Sequence, residues 1–394
     1  MSYFEVLKKD ENSKARNGVI HTAHGDVVTP QFLPIGTQGT VKTVTSEELK
    51  FWGASIMLAN TYHLWQRPGD ALIYKAGGLH QFMNWKGPIF TDSGGFQVYS
   101  LAKQRQVLEA GVLFQFDLDG KSAVLSPEKS IDIQANLGSD IALILDDFPG
   151  FPFEYNRSKE SIALTKRWAE RAIKEFQRIV IDGTPINPGQ RLWGIVQGAS
   201  FPDLREQSAK DMVELGFEAF AIGGVAVGEP HIEMMKAVDA AIPHLPETSP
   251  KHLLGVGTPF DIVQAVARGC DTFDCVIPTR EARHGRLYIA KQVESIKYKV
   301  ESGGIKEGYE TIDIRLEKYK EDFTPIDSTC NCYACLNHTR AYVRHLFASG
   351  EMLGTRLATM HNLRFYLNLM EKIRTAIQYD YFDKMLAEFK SLTV

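Results

Sequence analysis

Residues 191–224 read RLWGIVQGASFPDLREQSAKDMVELGFEAFAIGG: a short apolar run ending in a glycine turn, a helix-length segment, then a second apolar run closing on two glycines. Each run is bounded by turn residues and has no polar alternation, so each reads as a strand buried on both faces. The pattern recurs in both directions. Upstream lie PQFLPIGT (30–37), ASIMLANT (54–61), GPIFTDSGG (87–95) and DIALILDD (140–147), and downstream KHLLGVG (251–257) and DTFDCVIPTR (271–280). Between them stand helix-start signals. Thr45 with Glu48 forms a capping-box pattern, while Ser126-Pro127-Glu128 and Thr258-Pro259 each set a capping hydroxyl before a proline suited to the first helical position. Eight buried strands alternating with helices predict an α/β fold, a (β/α)8 TIM barrel. A doubly wound open sheet would carry Gly-x-Gly-x-x-Gly after its first strand, and none stands there.

Ahead of the first run, GVIHTAHGDVVTP (18–30) alternates apolar and polar residues around turn formers, predicting a small antiparallel β cap over the barrel bottom. After the last, the stretch from about Leu287 to Asp327 is richer in Lys and Glu, lacks the barrel alternation and leads into a cysteine cluster. The expected division is 1–286 for the barrel with its cap and 287–394 for a zinc-binding subdomain with closing C-terminal helices.

The 394 residues are 44% hydrophobic and 23% charged, the balance of a globular chain with one large core, and no apolar run reaches membrane length. The first eighteen residues hold no apolar core between their charges, so no signal or transit peptide is expected and the location expected is cytoplasmic. A formal net charge of −4 excludes a uniformly basic polyanion binder. Any nucleic-acid contact must then be local, resting on basic side chains such as Arg280, Arg283 and Arg286 and on Lys or Arg near the cysteine cluster, whose bland alternative is a solvated loop. Five cysteines in so long a chain argue against a disulfide scaffold, and Cys330, Cys332 and Cys335 crowd into a Cys-x-Cys-x-x-Cys spacing. Three thiolates and one imidazole would close a tetrahedral Zn2+ shell, which makes the metal structural. On spacing alone His338, His345 and His361 all qualify as the fourth ligand.

Function in such a barrel collects at the carboxyl ends of the strands. There Asp92 ends the third run, Asp146 and Asp147 the fourth and Gln197 the fifth; Gly223-Gly224 follows the sixth, and Asp274 lies in the eighth. A single aspartate after a strand is most often a helix cap. Three carboxylates and a carboxamide converging on one mouth are harder to explain that way.

Together with these ends, MLANTYHLWQRPG (57–69), TDSGGFQVYSL (91–101), GIVQGAS (194–200), IGGVAVGEP (222–230), LLGVGTPFDI (253–262), FDCVIPTREARHG (273–285), CNCYACLNHTRAYVRHLF (330–347) and LATMHNLRFY (357–366) resemble successive signatures of the bacterial tRNA-guanine transglycosylases. The resemblance implies exchange of the guanine at the tRNA wobble position for 7-aminomethyl-7-deazaguanine, in queuosine biosynthesis, through a covalent aspartyl-ribosyl intermediate. On the matching positions Asp274 is the nucleophile and Asp92 the second catalytic aspartate, which handles the proton. Asp146 accepts hydrogen bonds from the base's ring N–H and exocyclic amine. Gln197 and the backbone N–H of Gly224 meet its carbonyl edge, Val225 and Glu229 belong to the same base-binding stretch, and the base lies between Phe96 and Leu254. Cys330, Cys332, Cys335 and His361 match the ligands of one zinc per subunit. A homodimer, and as substrates the aspartate, asparagine, histidine and tyrosine tRNAs, are implied too.

The stretch after the fourth strand departs from the bacterial pattern. Where it usually reads Phe-Asp-Glu-Cys this chain has Leu145-Asp146-Asp147-Phe148, so a shorter and a bulkier side chain are expected beside the base pocket. Val227 is of the bacterial form, whereas a smaller residue there makes room for queuine in the eukaryotic relatives. The rivals are a queuine-using or archaeosine-type enzyme, a noncatalytic partner subunit that keeps zinc but loses the aspartates, and a metal-dependent barrel hydrolase. The last would need histidine ligands paired with carboxylates at the strand ends, which the runs do not supply.

Overall fold

The computed structural model describes residues 2–101, 105–116, 120–183, 185–290 and 308–389. The eight apolar runs form eight short parallel strands: β1 (Gln31–Leu33), β2 (Met57–Ala59), β3 (Ile89–Thr91), β4 (Ile141–Leu143), β5 (Arg191–Val196), β6 (Phe220–Ile222), β7 (Lys251–Leu253) and β8 (Thr272–Asp274). Each pairs with its sequence neighbour, β8 pairs with β1, and an Ile35–Leu58 bridge joins the chain after β1 to β2, closing the barrel. Nearly every strand residue is buried, as a sheet covered on both faces requires. Phe32, Phe90, Trp193, Phe220 and Phe273 are among the largest fully buried side chains, each contributing roughly 1.5–3 kcal/mol of burial.

The helix starts fall where the capping residues place them. Thr45 and Glu48 make the reciprocal capping box of helix Ser46–Phe51. Ser126 and Thr258 each accept a backbone N–H at 3.1 Å, from Lys129 and Asp261, at the heads of helices Pro127–Leu137 and Pro259–Ala267. Each such cap is worth about 1 kcal/mol.

The N-terminal segment is a three-stranded antiparallel sheet, Phe4–Lys9, Arg16–Thr22 and Gly25–Thr29. It covers the amino ends of the strands. Arg16 pairs in a fork with Asp271, which immediately precedes β8, and His24 bonds Asp140, which immediately precedes β4. A second antiparallel sheet, Arg105–Leu108, Gly111–Gln115 and Ser122–Leu125, stands between β3 and its helix. The sequence pattern did not announce it, because its strands are short and its buried side chains are few, Val112, Phe114 and Leu125.

After β8, strand Arg286–Ala290 pairs antiparallel with Tyr309–Asp313. The middle of the lysine- and glutamate-rich stretch, 291–307, lies outside the described residues, as do 390–394. Helix Met352–Gln378 then spans two cores: Leu357, Met360 and Leu363 pack in the cluster that holds the cysteines, and Tyr366, Met370 and Ile373 pack in the barrel's cluster. Among the described residues no helix is long and apolar enough to cross a membrane.

Candidate active site and metal centre

Asp92, one residue past β3, is held from several sides. Its Oδ2 accepts from Asn60 Nδ2 at 2.5 Å and Gln97 Nε2 at 2.9 Å, and its Oδ1 from the backbone N–H of Thr61 at 2.9 Å and of Gly94 at 3.2 Å. Burial nevertheless raises its pKa to about 6, the donors opposing the rise and the Asp274 charge adding to it.

Asp146, past β4, is buried and has no cationic partner among the described residues. It accepts from Gln197 Nε2 at 2.5 Å, and Ser93 Oγ stands at 3.5 Å. Burial lifts its pKa to about 7; the Gln197 bond opposes this and the neighbouring Asp147 charge adds to it. Gln197 is fully buried, and its Oε1 has no hydrogen-bond partner among the described residues. The double glycine after β6 follows from this packing. A Cβ on Gly223 would lie 2.6 Å from Gln197 Nε2, and one on Gly224, whose φ is +64°, would lie 2.2 Å from Gln197 Oε1. Arg205 is buried beneath the same turn, donating at 2.9 Å to Val196 O and at 2.8 Å to Gly223 O; burial lowers its pKa to about 9. Just beyond, Val225 is buried, and Glu229 accepts from the backbone N–H of Ala226 at 2.5 Å and of Val227 at 2.8 Å, tying down the loop 225–228.

Asp274 ends β8. Its Oδ1 accepts the Gly255 N–H at 3.0 Å and lies 3.0 Å from Nε2 of His252, a fully buried residue of β7. Leu254, between these two partners in sequence, is partly buried.

Of the two changed side chains after the fourth strand, one turns to a partner outside the expected pocket. The Asp147 carboxylate is taken up by Arg157, which donates to both oxygens at 2.7 Å, so its shortened side chain serves an ion pair with the following helix. Phe148 is buried and stacks on the exposed Phe96, ring centroids 6.0 Å apart at 17°, and the Tyr99 ring lies tilted against it at 4.7 Å. It supports the Phe96 ring. Arg280 is exposed on helix Ile277–Arg283 behind Asp274; Arg283 donates to Thr279 O on the same helix, and Arg286 pairs at 3.3 Å with Glu281.

Cys330, Cys332, Cys335 and His361 form a buried cluster whose ligand atoms all lie within 4.8 Å of one another. His361 Nδ1 is 3.3 Å from Cys335 Sγ and 3.8 Å from Cys332 Sγ, while its Nε2 donates to Tyr288 O at 2.6 Å. That outer bond fixes the tautomer with the Nδ1 lone pair toward the thiols, the arrangement a metal-ligating histidine needs. His338, which stacks on Tyr342, and His345 are not in the group. Helix Met352–Gln378 thus carries the fourth ligand, and the donor set can hold one metal ion in a closed shell.

A second group, His24, His80 and Asp140, sits at the opposite end of the barrel. Asp140 also accepts the backbone N–H groups of His24 at 3.1 Å and Ile89 at 2.9 Å, so the cluster serves as a clasp between cap and barrel.

A barrel with three buried or half-buried aspartates, a carboxamide and a glycine turn at its mouth, and a thiol-rich metal site beside it, defines a class of glycosyl-transferring enzyme. The sequence model described as queuine tRNA-ribosyltransferase matches residues 10–393. Similar proteins of that name include one from Streptococcus gordonii, 50% identical over 98% of this chain and 94% of its own length. Others are one from Streptococcus mutans, 50% identical over 96% and 92%, and one from Lactococcus lactis, 48% identical over 98% and 94%. The chain belongs to the queuine tRNA-ribosyltransferase family, and it is a pentosyltransferase enzyme.

Of the residues around the site, Asn60, Gln97, Arg205 and His252 were not anticipated. The usable signal was His252: a lone histidine inside an otherwise apolar buried run is a polar group that must find partners.

Proposed function

We propose that this chain exchanges guanine at the wobble position of tRNA for 7-aminomethyl-7-deazaguanine by double displacement. The observation that carries this is the pairing of two differently prepared carboxylates at one mouth: Asp146, buried beside Gln197 without a cation, and Asp92, lifted to about 6 beside Asp274. Guanine flipped out of its strand presents two adjacent donors, its ring N–H and exocyclic amine, and an ionised Asp146 can take both in a forked contact. The unpartnered Gln197 Oε1 marks a floor still open to a polar ligand. Gly224 N–H and the loop held by Glu229, with Val225, line the rest of the base edge, and Phe96 and Leu254 supply its apolar faces.

Asp274 attacks the anomeric carbon as guanine leaves, Asp92 giving up a proton to it. The incoming base then attacks the same carbon, Asp274 departs, and Asp92 takes the proton back. Two displacements retain configuration. Arg280, Arg283 and Arg286, on the helix and strand that follow Asp274, would meet phosphates locally.

In the Cys3His site we assign zinc, held by Cys330, Cys332, Cys335 and His361; when bound it cross-links the segment after β8 to helix Met352–Gln378. A homodimer is supported by exposed apolar side chains on the same segment, among them Tyr333, Leu336, Phe323 and Met352. The substrates proposed are the aspartate, asparagine, histidine and tyrosine tRNAs of the cytoplasm. The test is incubation with tRNA labelled in its wobble guanine. Label should be released by the aminomethyl base, and an enzyme that releases none with any 7-deazaguanine contradicts the reading.

A further inference from the structure

His252 occupies a position in β7 where the chain could have carried any large apolar residue. Its ring is fully buried, with the Phe90 ring 4.7 Å away, and both nitrogens have partners on β8: Nδ1 is 2.9 Å from Thr272 Oγ1 and Nε2 is 3.0 Å from Asp274 Oδ1. An ionised carboxylate can only accept, so Nε2–H donates to Asp274 Oδ1, and Nδ1 then accepts a hydrogen bond from the Thr272 hydroxyl. The aspartate therefore sets the tautomer, and the threonine hydroxyl, free to turn its proton to Nδ1, completes the ring's partners.

The consequence falls on the two oxygens of Asp274. Oδ1 receives two donors, His252 Nε2–H and the Gly255 N–H, whereas Oδ2 receives none among the described residues. We infer that His252 is a positioning residue which, with Gly255, fixes Asp274 so that Oδ2 is the attacking oxygen and Oδ1 the held one. This rests on the reading of Asp274 as nucleophile.

In the first displacement the Oδ2 lone pair forms the bond to C1′ while the C1′–N bond breaks with its pair going to guanine. Oδ1 becomes the ester carbonyl oxygen and keeps both donors. In the second displacement the incoming base supplies the pair for the new C1′–N bond, and the C1′–Oδ2 pair returns to Asp274. Negative charge then develops again on a carboxylate whose Oδ1 already faces two fixed donors. Preorganised donors of this kind lower the barrier because they need not reorient as the charge appears, and losing one costs roughly 10²–10³-fold in turnover. A histidine that merely filled space would contribute to stability without such a split.

The experiment compares His252→Phe, His252→Gln and Thr272→Val in the zinc-loaded full chain, using wobble-labelled tRNA. His252→Phe keeps a ring and removes the donor, so kcat should fall about 10²-fold. The KM for tRNA should stay near wild type, and the adduct should persist longer because its breakdown is slowed. His252→Gln places an amide donor near the Nε2 position and should recover at least ~10-fold of that loss. Thr272→Val removes the hydroxyl that partners Nδ1 and steadies the ring, and should lower kcat several-fold with KM unchanged. A His252→Phe protein with wild-type metal content, melting temperature and kcat overturns the inference, as does a glutamine variant no better than phenylalanine. If the phenylalanine variant does not fold, Thr272→Val at wild-type kcat overturns it instead. A wild-type adduct mapped to an aspartate other than Asp274 would sink the parent reading whatever these variants do; an adduct on Asp274 with the variants unaffected would sink this inference alone.

Discussion

The amino end of this barrel and the Asp92–Asp146 pair at its mouth treat buried carboxylates in opposite ways. At the amino end the buried Asp271 and Asp140 are both satisfied. Asp271 receives the forked Arg16 guanidinium at 2.8 and 2.7 Å, and for Asp140 burial is outweighed by donors from His80, the Ile89 N–H and His24, which leave its pKa below the usual range. At the carboxyl end Asp92 and Asp146 are given neutral donors and no cation, and their pKa values rise to about 6 and about 7. The first arrangement ties the cap to the barrel; the second keeps groups poised to exchange protons near neutrality.

The linkage signs differ accordingly. Asp140, depressed in the folded state, contributes stability that is present above its unfolded value and lost as pH falls through the folded one. Asp92 and Asp146, raised in the folded state, favour folding below their unfolded values near 4 and lose that contribution as pH climbs to about 6 and about 7. The active end is thus a cost to the fold at the pH where it works.

The largest effect that would break this contrast is on chemistry. Asp92→Asn should lower turnover by ~10² to 10⁴-fold with metal content retained and thermal stability kept or slightly raised; a variant that unfolds in step with its activity would place Asp92 with the structural carboxylates. The mirror experiment is Arg16→Ala, which strands buried Asp271 and should cost about 3 kcal/mol in denaturant unfolding. Its kcat, assayed well below the melting temperature, should match wild type. A selective loss of kcat there would mean that the cap reaches the site.

A pH profile sharpens the comparison at lower amplitude. For the free enzyme, kcat/KM of the incoming base should rise with pH through about 7 as Asp146 ionises. Burial is the main cause of that high value and the Asp147 charge a lesser one, so Asp147→Asn should move the limb to lower pH. An unmoved limb assigns it to another group. Smallest is a change of scope: Val227→Gly should admit queuine while leaving guanine exchange within about twofold, because removing a side chain relieves a clash and adds no contact. Wild-type enzyme that already uses queuine would show that Val227 is not the gate.

The sequence made the barrel legible because eight apolar runs bury on both faces and end in the polar residues that the mouth collects. It also gave the three thiols, but not which histidine joins them. That depends on helix Met352–Gln378 crossing from the cysteine-bearing core to the barrel core, a tertiary fact that spacing does not encode. The sheet 105–125 escaped notice since its outward faces are mixed in polarity. Asp147 was placed beside the base because it follows Asp146, yet its partner Arg157 sits ten residues on, and adjacency along a chain just past a strand says little about direction. His252 was hidden inside its own run. Its role appears only when β7 and β8 are set in register, with His252 opposite Thr272.

The most direct test of the account is to trap wild-type enzyme on wobble-position tRNA, digest protein and RNA, and map the linkage by mass spectrometry. The account predicts a ribosylated peptide carrying the modification on Asp274, absent from Asp274→Asn. A ribosylated Asp92 or Asp146, or base exchange that proceeds with no adduct under any trapping condition, would contradict it.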